Sequence, residues 1–156
     1  MNAEMITGRS GQCLCGGVRI HAASLPAHMH ACHCSMCRRN SGSAGMTVVV
    51  AHADLRIEGA EHITTYPSSD WAARSFCARC GAGLWYRLTV PDAETADYFL
   101  SVGILDDLTG LSLNQEIYID QKPAGYAFAG DHDRLTGDEF EALLQASPEG
   151  VSHDDL

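Results

Sequence analysis

Seven cysteines in three tight groups constrain this chain more than any other feature of its sequence. GQCLCGG carries Cys13 and Cys15, ACHCSMCRRNSG carries Cys32, Cys34 and Cys37, and FCARCGAGLW carries Cys77 and Cys80. An odd count at CxC and CxxC spacings does not suit a disulfide framework, which pairs an even number of more widely scattered cysteines. In a reducing compartment such groups more often bind metal. The groups differ in spacing and do not repeat, so any metal site they share has to be assembled by the tertiary fold.

The rest of the chain reads as a mainly β domain able to do that. At 156 residues, 46% hydrophobic and 19% charged, residues 1–156 form one globular domain with its own core. Short blocks with period-two alternation and β-branched or aromatic residues predict strands at GVRIHA (17–22), AGMTVVVA (44–51), HITTY (62–66), GLWYRLTV (83–90), DYFLSVGIL (97–105) and EIYID (116–120). Gly, Pro, Asp and Ser separate them, with no long helical repeat between, which favours a mostly antiparallel sheet over βαβ units. Two helices are expected. One is a turn or so through SMCRRNS, and the other is TGDEFEALLQ (136–145), where Thr136 and Glu139 form a capping box and Phe140, Leu143 and Leu144 share a face for docking. Residues 147–156 read as an acidic tail.

A net charge of −10 argues against nucleic acid as a partner, because phosphate binding needs a basic stripe. The longest apolar run, MTVVVA, is far shorter than the roughly 20 residues needed to span a bilayer. MNAEMITGRSGQ lacks the charged start and apolar core of a signal peptide, so the expected location is cytoplasmic.

Cys13 and Cys15, two apart on an extended segment, would point to one face. Cys77 and Cys80 precede Gly81, which a tight metal-binding turn tolerates. Together the four make a closed thiolate site suited to Zn(II), with rubredoxin-like iron the alternative. Cys32, Cys34 and Cys37 offer three ligands from one loop, the pattern of a zinc site with an open position. The alternative is a closed shell completed by His28, His30 or His33. His33, between two ligands on an extended segment, should point away from their shared face, which suits positioning or proton handling better than ligation. Arg38 and Arg39 place positive charge after the loop, where an anionic substrate could dock, or they are ordinary surface arginines. Three thiolates outweigh the two charges of Zn(II), so a bound water is less acidified than on a neutral shell, and a substrate sulfur is the better fit. The expected chemistry makes or breaks a carbon–sulfur bond.

With EIYIDQKP added to the three cysteine motifs, residues 9 to 130 resemble the glutathione-dependent formaldehyde-activating enzyme family, whose domain is shared with centromere protein V. The resemblance implies a β-tent fold with two zinc ions: a structural one on Cys13, Cys15, Cys77 and Cys80, and a catalytic one on Cys32, Cys34 and Cys37. It also implies condensation of glutathione with formaldehyde to S-hydroxymethylglutathione, formally a carbon–sulfur lyase in reverse. After Gln121, Lys122 and Pro123 the family often carries tryptophan, whereas this chain has Ala124, Gly125 and Tyr126. The basic extension of the centromeric relative is absent. The expectation is therefore a zinc enzyme binding a small thiol such as glutathione, with His33, Arg38 or Ser41 steadying carboxylates or handling a proton. Trp85, Tyr86 and Phe99 either line the cleft or pack the core. A non-catalytic zinc-stabilised domain binding a thiol or protein ligand, and thiol–disulfide exchange through Cys34 and Cys37, are the competing readings.

Overall fold

A computed structural model describes residues 3–146; the acidic tail expected at 147–156 lies outside the described residues. In chain order the elements are β1 Met5–Gln12, β2 Arg19–Pro26, β3 His28–Cys32, α1 Ser35–Ser41, β4 Gly45–Val50, β5 Leu55–Glu58, β6 Ile63–Pro67, β7 Ala72–Cys77, β8 Gly83–Leu88, β9 Tyr98–Ser101, β10 Ser112–Ile117, β11 Asp133–Leu135 and α2 Gly137–Ala146. Strands β1, β2 and β5 form a small antiparallel sheet in the order β1-β2-β5. The others form one eight-stranded sheet in the order β11-β10-β3-β4-β9-β8-β7-β6. No helix of the described residues is long and apolar enough to cross a membrane.

The run of valines in β4 shows how the layers arise. A strand buried on both faces reads as a continuous apolar stretch, and its side chains alternate between two environments. Val48 and Val50 enter the main core, where Ile20, Ala22 and Leu25 of β2 meet Leu84 and Leu100 of the large sheet. Val49 faces the other way and packs with Cys32, Cys37, Phe99, Ile117 and Phe140. One face of the large sheet thus carries the small sheet, and the opposite face carries both helices and the triple-cysteine loop. Within the small sheet, the end of β5 comes so close to the turn before β2 that only glycine fits. Gly59 has φ +79°, and a Cβ there would lie 1.9 Å from the Gly17 carbonyl oxygen, in the turn that follows Cys15.

The class is mainly β with two short helices, as the periodicity predicts, but the sheet is mixed. β10 runs parallel to β3 and to β11. These strands are far apart in the chain, so no hairpin forces them antiparallel. Several strands also start or stop elsewhere than the blocks suggest. EIYID belongs to a strand that begins at Ser112 and ends at Ile117, because Tyr118 is left-handed (φ 55°) and a 3-10 turn follows. DYFLSVGIL breaks after Ser101 into a 3-10 turn over Val102–Ile104. Strands β1, β3, β5, β7 and β11 were not expected; β1 (MITGRSGQ) is an edge strand with few β-branched residues and little burial.

Helix α2 has its capping box. Thr136 Oγ1 accepts from the Glu139 amide at 3.2 Å, and Glu139 Oε2 accepts from the Thr136 amide at 2.8 Å. Its docking face is narrower than expected. Phe140 is buried against Tyr118, but Leu143 and Leu144 stay exposed, because the large sheet ends at three-residue β11 and offers nothing further to cover them. Thr136→Ala should therefore cost about 1 kcal/mol, read as a lower urea midpoint at unchanged slope. A midpoint equal to that of the parent would show that the cap contributes nothing.

Candidate metal centres

The first cluster is built from two turns. After β1 the chain does not stay extended as expected: the Gly16 amide bonds the Cys13 carbonyl at 3.1 Å, and Gly16 takes φ +73°. At the end of β7 the Gly81 amide bonds the Cys77 carbonyl at 2.8 Å, with Gly81 at φ +75°. Each turn presents two sulfurs inward. The Sγ atoms of Cys13, Cys15, Cys77 and Cys80 all lie within 4.8 Å of one another, with Cys13–Cys15 at 3.6 Å and Cys15–Cys77 at 3.8 Å. A tetrahedral Zn–S shell with bonds near 2.3 Å has sulfur–sulfur edges of about 3.8 Å. The four residues therefore fit a closed metal site, and all seven cysteines are free of disulfides. Burial pushes the Cys13 thiol up, but the Val18 amide at 3.2 Å and the neighbouring sulfurs outweigh it and bring it down to about 6. The same crowding helps to hold Cys15 up at about 11.

The second cluster sits on the helical face of the large sheet. Cys32 is the last residue of β3, between β4 and β10. Cys34 caps α1, its sulfur accepting from the Cys37 amide at 3.4 Å, and the first turn of the helix brings Cys37 back to the same point. The three sulfurs lie within 4.8 Å of one another, and among the described residues no histidine or carboxylate joins them. Gly45 pairs with Cys32 across the sheet, and a Cβ there would come within 3.0 Å of Cys37 Cβ. Hydrogen bonds from Cys32 and Cys37 pull the Cys34 thiol down to about 2, while the charge placed there helps to push Cys32 and Cys37 up. A cation among three crowded sulfurs would stabilise them as thiolates, so this cluster too could hold a metal ion.

The model of the glutathione-dependent formaldehyde-activating enzyme family matches residues 8–121, which contain both clusters. The chain belongs to this family. A Schizosaccharomyces pombe protein named as an uncharacterized lyase is 29% identical over 129 residues, 83% of this chain and 91% of its own. A Halomonas elongata protein, named provisionally as a glutathione-dependent formaldehyde-activating enzyme, is 36% identical over 83 residues, 48% of this chain and 53% of its own. The crystal structure of a Rhodobacter sphaeroides protein shares the fold, with a TM-score of 0.50 and 24% identity over 80% of this chain and 98% of that one.

Within this family member, His33 points where strand alternation predicts, away from the sulfurs. Its Nε2 lies 2.8 Å from Glu116 Oε1, and both side chains are 1% exposed. Glu116 Oε2 also takes His132 Nε2 at 2.5 Å and Arg134 Nε at 3.1 Å. Burial raises the Glu116 carboxyl, but its bonds to His132 and His33 win and hold it below the usual carboxylate range. Since a carboxylate only accepts, both histidines present an N–H at Nε2. The other ring nitrogen of His33, Nδ1, lies 3.4 Å from the Tyr126 hydroxyl. Tyr126, in place of the tryptophan expected from the resemblance, thus covers His33 together with Phe128.

Among the described residues no other histidine joins the second cluster. His30 is buried, with neither ring nitrogen hydrogen-bonded, and burial lowers its pKa to about 4. His28 is half-buried on the same strand. Arg38 and Arg39 are exposed in the last turn of α1. Beside Cys37 lies a narrow cleft of about 20 Å³, lined among others by Ser41, Gly45, Thr47, Arg74, Tyr86 and Phe99. Tyr86 and Phe99 stack at 4.3 Å on the cleft side, whereas Trp85 belongs mainly to the core and meets Tyr98 edge-on. A larger cavity of about 350 Å³ lies over one face of β6, β7 and β8, lined by Thr65, Ala73, Ser75, Trp85 and Arg87, and none of the cysteines lines it. Sequence reasoning missed Arg74, Glu116, His132 and Arg134. Glu116 sits in a strand block whose alternation alone would place any charged side chain in solvent, and Arg74 lies in a segment not read as a strand.

Proposed function

We propose that the protein is a zinc-dependent carbon–sulfur lyase-type enzyme that joins a small thiol, such as glutathione, to formaldehyde or another aldehyde, or releases it. The contrast between the two clusters carries this reading: four sulfurs close the first, while the second has three beside a cleft. Cys13, Cys15, Cys77 and Cys80 would hold a structural zinc. Cys32, Cys34 and Cys37 would hold the catalytic one, which supplies the Lewis acidity that keeps a substrate sulfur deprotonated at neutral pH.

The chain's own residues set the rest. The thiol loses its S–H proton, the sulfur pair forms the new S–C bond, the carbonyl π pair moves to oxygen, and that oxygen takes a proton; the reverse course cleaves the adduct. Three thiolate ligands disfavour water as the nucleophile, so the cleft is suited to sulfur. His33, fixed by Glu116, anchors the turn between Cys32 and Cys34 to β10. Ser41 lines the cleft, and Arg38, exposed on the same helix, meets substrate carboxylates from outside.

Cys34→Ser tests the assignment. Bound zinc should fall from two per chain to one, formation of S-hydroxymethylglutathione above the uncatalysed rate should drop at least about a hundredfold, and the circular dichroism spectrum should persist. Full turnover by a variant that has lost one zinc would sink the proposal and leave a zinc-stabilised binding domain.

A further inference from the structure

We infer that Arg74 is the specificity-determining residue of the cleft, selecting thiols that carry a carboxylate a short chain away from the sulfur. The inference rests on the functional reading above and adds the substrate class. Arg74 Nη2 lies 3.6 Å from Cys37 Sγ, and the guanidinium stands over the Tyr86 ring at 5.2 Å. Its Nε is buried and has no hydrogen-bond partner. That is unexpected in a chain with 20 acidic residues against 10 lysines and arginines, where partners are plentiful. The Nε of Arg9 is likewise unpartnered, but among the described residues Arg74 alone of the two pairs with no carboxylate, whereas Arg9 finds Asp107 at 2.6 Å.

A buried guanidinium N–H without an acceptor is costly unless something supplies one. The planar fork matches a carboxylate, and stacking on Tyr86 fixes its orientation in advance. The electrostatics call for such a cation. The thiolate cluster is anionic and the chain carries a net charge of −10, so an acidic thiol is repelled everywhere except where a fixed positive charge faces it. The cleft has room for a group about the size of one water, which suits a carboxylate oxygen beside a sulfur seated at the cluster and excludes a bulky side chain.

The test is equilibrium binding, by calorimetry on the zinc-loaded protein, of 3-mercaptopropionate and its neutral amide, 3-mercaptopropionamide. The parent protein should bind the acid about tenfold or more tightly than the amide. Arg74→Gln should abolish this preference while leaving amide binding within about twofold. Arg74→Lys, which keeps the charge but loses the fork, should retain only part of it, and guards against a Gln variant that fails to fold. Equal affinities of the parent for acid and amide would overturn the inference, as would a preference that survives Arg74→Gln and vanishes on Arg38→Gln. If neither thiol bound at all, the functional reading would fall and the inference with it; loss of discrimination alone removes only the inference.

Discussion

Cys77→Ser is expected to unfold the protein, not merely to empty a metal site. Cys77 and Cys13 are among the most buried side chains, 0% and 1% exposed, and both belong to the main core shared by the two sheets. With a metal bound, the four-cysteine cluster ties the end of β1 in the small sheet to the end of β7 in the large one. Structural zinc contributes about 10–16 kcal/mol of apparent binding energy in small zinc domains, against about 5–15 kcal/mol of net stability for a typical domain. Losing the ion therefore removes as much as the whole fold has to spare. The variant should show no cooperative urea transition and broad amide exchange, and a strong chelator should do the same to the parent. Cys15→Ser, at an exposed ligand, should be milder. A cooperative transition in Cys77→Ser with a midpoint near that of the parent would refute the structural role.

Glu116→Ala should cost about 3–5 kcal/mol, because it leaves His33, His132 and Arg134 without their common acceptor in the interior. Glu116→Gln should cost less, since the amide oxygen still accepts one bond and a neutral histidine can change tautomer to accept from the amide nitrogen. The pH dependence has a definite sign. The folded carboxyl is depressed below its ordinary value of 4.5, so its contribution is fully present above that value and is lost as pH falls through the folded pKa. The gap between parent and Glu116→Ala urea midpoints should accordingly be constant near neutrality and close in acid. Metal loss in acid affects both proteins and cancels in the difference. A gap that widened as pH fell would contradict this account. A metal held by the triple-cysteine cluster would be bound more weakly in Glu116→Ala, because His33 sits between Cys32 and Cys34.

The division of the cysteines into four and three was legible because ligand spacing is local: CxC and CxxC mean the same thing in any fold. The direction of His33 was legible for the same reason, since alternation along a strand needs only its two neighbours. What His33 meets was not. Glu116 comes from a strand 83 residues later, running parallel in a register that no turn dictates. Arg74 reaches Cys37 across 37 residues of sequence, by the order in which β4, β9, β8 and β7 are laid side by side. Apolar alternation found the buried middle of the sheet, such as β4, β8 and β9. It missed β1 and β11, where little side-chain burial leaves little pattern to read, and also β3 and β7, where His28, His30, Arg74 and Ser75 interrupt the apolar pattern. Leu143 and Leu144 kept the helical spacing of a docking face although no surface was there to receive it.

The alternation of Val48, Val49 and Val50 has a consequence for how such a protein can change over time. Residues on one side of β4 hold the sheets together, and residues on the other side face the triple-cysteine cleft. A substitution at Thr47, Phe99 or Tyr86 reshapes the cleft beside the triple-cysteine loop without reaching the layer between the two sheets. Change on one side of a single strand thus leaves the packing on its other side in place.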